Sequence, residues 1–406
     1  MAAARSHFDG LTYLPTTRIL NPMKRIYLDH TATTPLDPRV LEAMLPYFSE
    51  SFGNASSVHS YGRQAKSVLE ISREMIAHAI SAEPGEVFFT SGGTESDNFA
   101  IRGVAHAARK KGKNHLVTSK AEHHAVLEPC EYVMEEDCQV TFLSVDESGL
   151  VTAKKVEEAL LDSTCLVSIM LANNEVGTIY PIKEIAQVAH KRGAVVHTDA
   201  IQALGKIPID VDGLGVDLMS LSAHKTYGPK GIGALYVRRG TDLEPLLQGG
   251  GQERGKRPGT ENVPLAVGFA KAVELAVASM DAESSRLRGL RDRLESEIRK
   301  QFPNAIINGH PTNRLPHILN ISFDSNKVAL EGEMLLMNMD LQGIAVTSGS
   351  ACTSGSMQPS HVLLAMGRDA KTAKATIRFA FGRDNTVEDV DYVVESLRAV
   401  LTQMTG

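Results

Sequence analysis

An α/β fold with a mostly parallel sheet, joined to a smaller α+β unit, follows from three features of this 406-residue chain. Short strand-like runs alternate with helical stretches through its middle. Those runs are continuously apolar, so both faces of their sheet are covered, as when helices cross between parallel strands. Beyond residue 261 the pattern changes to a long helical stretch and then a second mixture of strands and helices. At roughly 150 residues per domain, the length favours two domains.

The elements follow in order. Residues 87–90 (Val-Phe-Phe-Thr) read as a strand, 91–94 as a Gly-containing turn, and a helix starts near Glu95. Further strands are expected at 115–118, 166–170, 194–197, 218–221 and 233–237, with helices at 156–161 and 182–192 between them. Helical periodicity runs through 266–280 and continues in the charged stretch 286–300, which reads as the bridge to the second domain. There, strands are expected at 318–323 and 376–381, and helices at 331–339 and 388–404. Residues 347–356 are small and polar and read as a mobile loop. The resulting division is an extension at 1–24, a large domain at 41–280, and a small domain made of 25–40 and 281–406 that carries a loop at about 345–360.

Composition narrows the function. Hydrophobic residues make up 43% and charged residues 22%, ordinary for a globular chain. The net charge of −6 offers a polyanion nothing, so nucleic-acid binding is not expected. No run of 18 apolar residues occurs, so no membrane span is expected, and the N-terminus lacks the apolar core of a secretory signal. The four cysteines, Cys130, Cys138, Cys165 and Cys352, form no CxxC pair, so neither a disulfide framework nor a cysteine zinc site is indicated. A reducing, cytoplasmic compartment is the default, or an organelle if residues 1–24 act as a transit segment.

Three positions suggest one chemistry. The turn at 91–94 leads into a helix beginning Thr94-Glu95-Ser96, where free N–H groups and the helix dipole favour an anion. It lacks the Walker lysine and the GxGxxG pattern, so ATP and dinucleotides are disfavoured while a smaller phosphate ligand is not. The plain alternative is an ordinary turn capped by Thr94. Lys225 follows the strand at 218–221, where open α/β sheets bind ligands and where desolvation makes an amine nucleophilic. The plain alternative is a solvated strand-end lysine. Asp199 follows the strand at 194–197, and buried there it needs a cationic partner. Its alternative is a helix N-cap for the segment starting at Ala200. A phosphate turn, a buried carboxylate and a strand-end lysine together fit pyridoxal phosphate, which needs a phosphate cradle, an acidic partner for its ring nitrogen and a Schiff-base lysine.

The sequence resembles the cysteine desulfurases of the NifS/IscS type, within the class V, fold-type I aminotransferases. The resemblance spans roughly residues 25 to 405. It is carried by Tyr27-Leu28-Asp29-His30-Thr31-Ala32-Thr33-Thr34-Pro35, Thr90-Ser91-Gly92-Gly93-Thr94-Glu95-Ser96-Asp97-Asn98, Glu122-His123, Asn173-Asn174-Glu175-Val176-Gly177, His197-Thr198-Asp199-Ala200-Ile201-Gln202, Ser222-Ala223-His224-Lys225, Gly249-Gly250-Gly251-Gln252-Glu253-Arg254 and Ser348-Gly349-Ser350-Ala351-Cys352-Thr353-Ser354.

The resemblance implies a fold-type I large domain with a seven-stranded sheet and roles residue by residue. Lys225 would form the Schiff base and shuttle protons, and Asp199 would hold the pyridinium proton. Gln202 and Asn174 would contact the phenolic oxygen, and Asn174 also the substrate carboxylate. His123 would stack on the ring and serve in acid–base steps. Gly93, Thr94, Ser222 and His224 would cradle the phosphate, and Thr260 would reach the phosphate of a partner subunit, which implies a homodimer. Arg378 would clamp the substrate carboxylate, as its geometry suits. On residues alone, Arg378 in an alternating strand could be a surface cation. The His123-His124 pair near Cys130 lacks further ligands in register, so no metal is expected.

Cys352 lies among Ser, Gly and Thr, an accessible setting for a thiolate, whereas Cys165 in its apolar run reads as a small hydrophobe. The resemblance implies that Cys352 takes sulfur from L-cysteine, releasing L-alanine, and passes it as a persulfide to an acceptor protein such as an iron–sulfur scaffold. Thr31, Gly93 and Thr347 depart from the family's usual Ala, Ala and Ser without removing a catalytic group. The alternatives are a selenocysteine lyase or other class V aminotransferase or lyase, and, in a different class, a non-catalytic sulfur-relay scaffold. Cys352 argues against the aminotransferase and the intact Lys225 against the scaffold.

Overall fold

The computed structural model describes residues 24–349 and 358–405. Twelve strands are found among the described residues: β1 (Ile26–Tyr27), β2 (Val87–Thr90), β3 (His115–Ser119), β4 (Gln139–Leu143), β5 (Thr164–Ser168), β6 (Val195–Asp199), β7 (Leu218–Ser222), β8 (Gly233–Val237), β9 (Ala305–Asn308), β10 (Ile318–Phe323), β11 (Ile344–Ala345) and β12 (Thr376–Ala380). β2 to β8 form one seven-stranded sheet in the order β2-β8-β7-β6-β5-β3-β4. Only β8 runs against the other six, so the sheet is mostly parallel. Every residue of β2, β3, β5, β7 and β8 is buried, which is why these segments read as continuous apolar runs. Edge strand β4 alone is largely half-buried, and its Gln139 and Thr141 hide it from that reading.

Helices Gly93–Arg109 and His124–Glu135 cover one face and pack on each other. Helix Ser60–Ala79, preceded by the His59 ring that accepts the Gly62 N–H, lies against the long helix Val263–Gln301. The two stretches expected at 266–280 and 286–300 are thus one continuous helix of 39 residues. Asn262 caps its start and Pro264 sits in its first turn, where a missing N–H costs nothing. An 18-residue window within it averages apolar enough to cross a membrane by length and composition, although no uninterrupted apolar run occurs. Its apolar residues have partners inside the protein: Ala266, Phe269, Ala270 and Val273 join the core under the large sheet, while Leu287, Leu290, Leu294 and Ile298 join a second core.

That second core packs the antiparallel sheet β12-β10-β9 and the parallel pair β1-β11 against helices Gly332–Leu341 and Val387–Thr405. It takes in Ile26 and Leu28 from the beginning of the described chain. Val362, Leu363, Met366 and Ala373 instead pack on the first core. The chain that follows the undescribed residues 350–357 is therefore seated on the large sheet's side.

Candidate active site

The C-terminal ends of β6 and β7 open into a cavity of about 430 Å³. Ten of the expected site residues line it: Gly93, Thr94, His123, Asn174, Asp199, Gln202, Ser222, His224, Lys225 and Arg378. Thr260 is exposed and outside this cavity, and Cys352 lies outside the described residues.

Lys225 follows β7 in a single 3-10 turn. Its Nζ donates to the carbonyl oxygens of Thr31 and Ala32, both at 2.6 Å. Burial, helped by the positive charge of Arg378, lowers its pKa to about 8, with Asp199 and Asp29 pulling the other way. A neutral amine is therefore accessible near physiological pH.

Asp199 ends β6 and is 7% exposed. Its Oδ1 accepts the Ile201 N–H at 2.9 Å, so it caps the turn after β6 and faces the cavity at once. Burial raises it to about 6 although that bond and Lys225 lower it. Residue types alone did not single out its neighbour. Asp97, one turn into helix Gly93–Arg109, is fully buried, and neither carboxyl oxygen has a hydrogen-bond partner among the described residues. His197 Nε2 stands 3.6 Å away but supplies no charge. That ring is held by Ser168 and Ser220 hydroxyls at 2.8 and 3.0 Å, and burial lowers it to about 3. Burial and then the charge of Asp199 raise Asp97 well above the carboxylate range, against a smaller lowering by the nearby Ser220 hydroxyl. Asp97 is thus the protonated neighbour that leaves Asp199 as the charged one.

His123 begins helix His124–Glu135, and its Nδ1 accepts the Ala125 N–H at 3.1 Å. In the neutral ring the proton then sits on Nε2. Burial, with Lys225 next, lowers its pKa to about 4, so the ring is neutral across the working range. The residue before it, Glu122, is buried and accepts from the Ser119 hydroxyl and the Met170 N–H, at 2.7 and 3.0 Å. His224, lowered to about 4 by burial and then Lys225, touches the Thr33 hydroxyl at 3.2 Å.

From the second sheet comes Arg378, 5% exposed on β12. Its Nη2 donates to Asp29 at 2.9 Å and its Nη1 to the Asn174 carbonyl at 3.0 Å. The surface-cation alternative for this residue is thereby removed. Arg378 Nε, Asn174 Oδ1 and Thr31 Oγ1 are buried without a partner among the described residues. Native proteins satisfy nearly all such groups, so these atoms point to a ligand.

The residues fit pyridoxal phosphate. A 17-residue helix opens at the Gly92-Gly93 turn with its first N–H groups free of intrahelical partners, next to Ser222 and His224. Asp199 offers a carboxylate for a ring cation, and Lys225 an amine. Gly93 leaves room at this turn for the Ile201 side chain, whose Cδ1 lies 2.1 Å from where a Cβ would stand. The three cysteines in described residues are poor nucleophiles: Cys130, Cys138 and Cys165 are buried, and burial raises each thiol, Cys165 to about 12.

The sequence profile of the class-V aminotransferases matches residues 26–393. The chain is 49% identical over 383 residues to the cysteine desulfurase IscS of Dictyoglomus turgidum, covering 94% of this chain and 96% of that one. Among solved structures it is similar to a NifS-like protein, with a TM-score of 0.86 and 39% identity over 94% of this chain and all of the other. It is also similar to SspA in complex with cysteine, with a TM-score of 0.76 and 38% identity over 88% and 98% of the two chains.

Proposed function

We propose, from the premise that this chain belongs to the class-V aminotransferase family, that it is a pyridoxal-phosphate-dependent cysteine desulfurase whose sulfur acceptor is Cys352. The observation that carries the reading is one cavity in which a lowered lysine, a buried aspartate, a neutral histidine and a paired arginine converge. Bound there, the cofactor supplies a carbonyl that condenses with amines and a ring that takes up electrons.

The protein's own groups do the rest. The turn at Gly93 and Thr94, with Ser222 and His224, holds the phosphate. Asp199 keeps a negative charge against the ring nitrogen. Lys225 gives and takes the proton at the substrate's α-carbon side, since its pKa of about 8 sits near the operating pH. Arg378, already oriented by Asp29 and Asn174, holds the α-carboxylate. Neutral His123, with its proton on Nε2, donates without adding charge. The Cys352 thiolate attacks the substrate sulfur: an S–S bond forms, the Cβ–S bond breaks, and the electron pair left on Cβ takes up a proton. L-cysteine and the thiol become L-alanine and a persulfide.

A homodimer belongs to this reading. Leu41, Leu45, Phe48, Phe52, Tyr61 and Ile71 expose a cluster of large apolar side chains on helices Pro38–Met44, Pro46–Ser49 and Ser60–Ala79 and the chain between them. Thr260, exposed and outside its own cavity, suits the phosphate of a second copy. The persulfide would pass to an acceptor protein such as an iron–sulfur scaffold, in the cytoplasm. Incubation of the cofactor-loaded protein with L-cysteine and a reductant is expected to release alanine and sulfide in equal amounts. A loaded protein that releases neither would sink the reading.

A further inference from the structure

We propose that Glu175 is a positioning residue for the sulfur-accepting step, its buried carboxylate hydrogen-bonded to one flank and packed against the other flank of the segment that carries Cys352. This rests on the reading of Cys352 as the acceptor. Glu175 is 2% exposed and does not line the cavity. Its Oε2 accepts the Ser360 hydroxyl at 2.5 Å. Ser360 in turn caps helix His361–Ala365 through the Leu363 N–H, so the start of that helix is tied to Glu175. On the other flank stands Gly349, with φ +94°, where a Cβ would come 2.7 Å from the same Oε2. One carboxylate oxygen thus meets the chain both before and after Cys352.

Glu175 is itself held firmly. Its N–H donates to Asn173 Oδ1 at 2.8 Å, and its carbonyl accepts from Asn320 of β10 at 3.2 Å. No lysine, arginine or histidine pairs with it among the described residues. A buried carboxylate without a cation is costly to keep, and here its Oε2 takes the Ser360 hydroxyl and lies against Gly349. Further ties bring the same flanks to the reacting groups. The Thr347 carbonyl accepts the Arg378 N–H at 2.5 Å, and the His361 ring meets the Glu122 carbonyl, next to His123, at 2.8 Å. Fixing both flanks limits the volume that the Cys352 thiol must search, which raises its effective concentration at the substrate sulfur.

The test compares full-length, cofactor-loaded enzyme with Glu175→Ala, Glu175→Gln and Gly349→Ala. Cofactor absorbance and its titration with L-cysteine report binding; alkylation and mass spectrometry of single turnovers report the persulfide on Cys352. Glu175→Ala and Gly349→Ala are expected to slow persulfide formation roughly 10–100-fold. Their apparent Kd for L-cysteine should stay within about twofold. Glu175→Gln, whose amide oxygen still accepts the Ser360 hydroxyl, should recover most of the rate. Persulfide formed at the wild-type rate in Glu175→Ala, or binding lost in step with it, overturns the proposal. If Glu175→Ala does not fold, Ser360→Ala removes the hydroxyl alone and must slow the same step. If wild-type enzyme forms no persulfide, the functional reading fails instead. The alkylation rate of Cys352 then decides: it must change in Glu175→Ala, and an unchanged rate overturns the proposal.

Discussion

Lys225 and Arg378 reach one cavity from two different sheets, and they are held in different ways. Lys225, past the end of β7, has only carbonyl acceptors among the described residues, and burial lowers its pKa to about 8. Around it stand Asp199, raised to about 6, the protonated Asp97 and the neutral His123. Arg378, on β12, has its charge met by Asp29 at 2.9 Å. The large sheet thus supplies groups whose protonation can change during a reaction. The second sheet supplies a fixed cation whose contribution is orientation. Strand ends of a buried parallel sheet desolvate what they carry, whereas Arg378 arrives with an acid from the beginning of the chain.

Removing Lys225 should have the largest effect. Positioned proton transfer alone contributes roughly 10²–10⁴-fold, and Lys225→Ala also loses the Schiff-base amine. Sulfide release should fall by at least that range, with the lysine-bound absorbance of the cofactor gone. Its lowered pKa also makes a pH prediction. Capture of the cofactor by the empty protein needs the neutral amine, so below about pH 8 the rate should rise about tenfold per pH unit and then level. A capture rate that keeps rising to pH 10 would show that Lys225 is not lowered.

The two aspartates should separate next. Asp199→Asn leaves a ring cation without its partner, and breaking a buried pair costs about 3–5 kcal/mol. Asp97 already carries its proton, so neutral, isosteric Asp97→Asn should weaken cofactor binding by less than about one order of magnitude. Equal losses, measured as Kd by fluorescence or absorbance titration, would mean that the charge is shared. On the other side of the cavity, Arg378→Lys keeps the charge and loses the fork. A charged hydrogen bond is worth about 1.5–3 kcal/mol, so KM for L-cysteine should rise roughly 10–150-fold. The cofactor spectrum should not move, and a shift in it would erase the division between the two sheets.

Much of this contrast is legible in the residues. Lys225 and Asp199 stand at ends of apolar runs, where a ligand-facing position and a plain strand-end role are both open; the fold buries Asp199 and half-buries Lys225. Arg378 needed the resemblance, because an alternating strand could equally face water; Asp29, which holds it, is 349 positions away in sequence. Asp97 lies within a motif of the resemblance that carries no role for it, since its character comes from burial and then from Asp199, about a hundred residues later. The same holds for Arg73, buried within helix Ser60–Ala79, where Glu253 accepts from both its Nη groups at 2.7 and 2.8 Å across 180 residues of sequence. Local pattern carries the sheet; pairings between distant charges appear only once the chain is folded.

The smallest effect is expected where the phosphate turn meets the turn after β6. Gly93 stands where the family more often has Ala, and the space a Cβ would take is filled by Ile201 Cδ1, 2.1 Å away. That obstacle is the far end of a flexible side chain, not backbone, so Gly93→Ala should cost only the price of overpacking, about 1–3 kcal/mol. Ile201→Val removes that methyl and by itself typically costs about 0.5–1.5 kcal/mol. Because the two changes address one contact, they should not add: the double variant should be more stable than the sum of the single losses predicts. Thermal unfolding of the cofactor-loaded forms measures this coupling. Ile201 follows Asp199 by two residues, so the same pair tests whether the phosphate end of the cavity and its ring-nitrogen end are set together. Additive losses would mean that the turn tolerates Ala by shifting its own backbone and that Ile201 plays no part in placing Asp199.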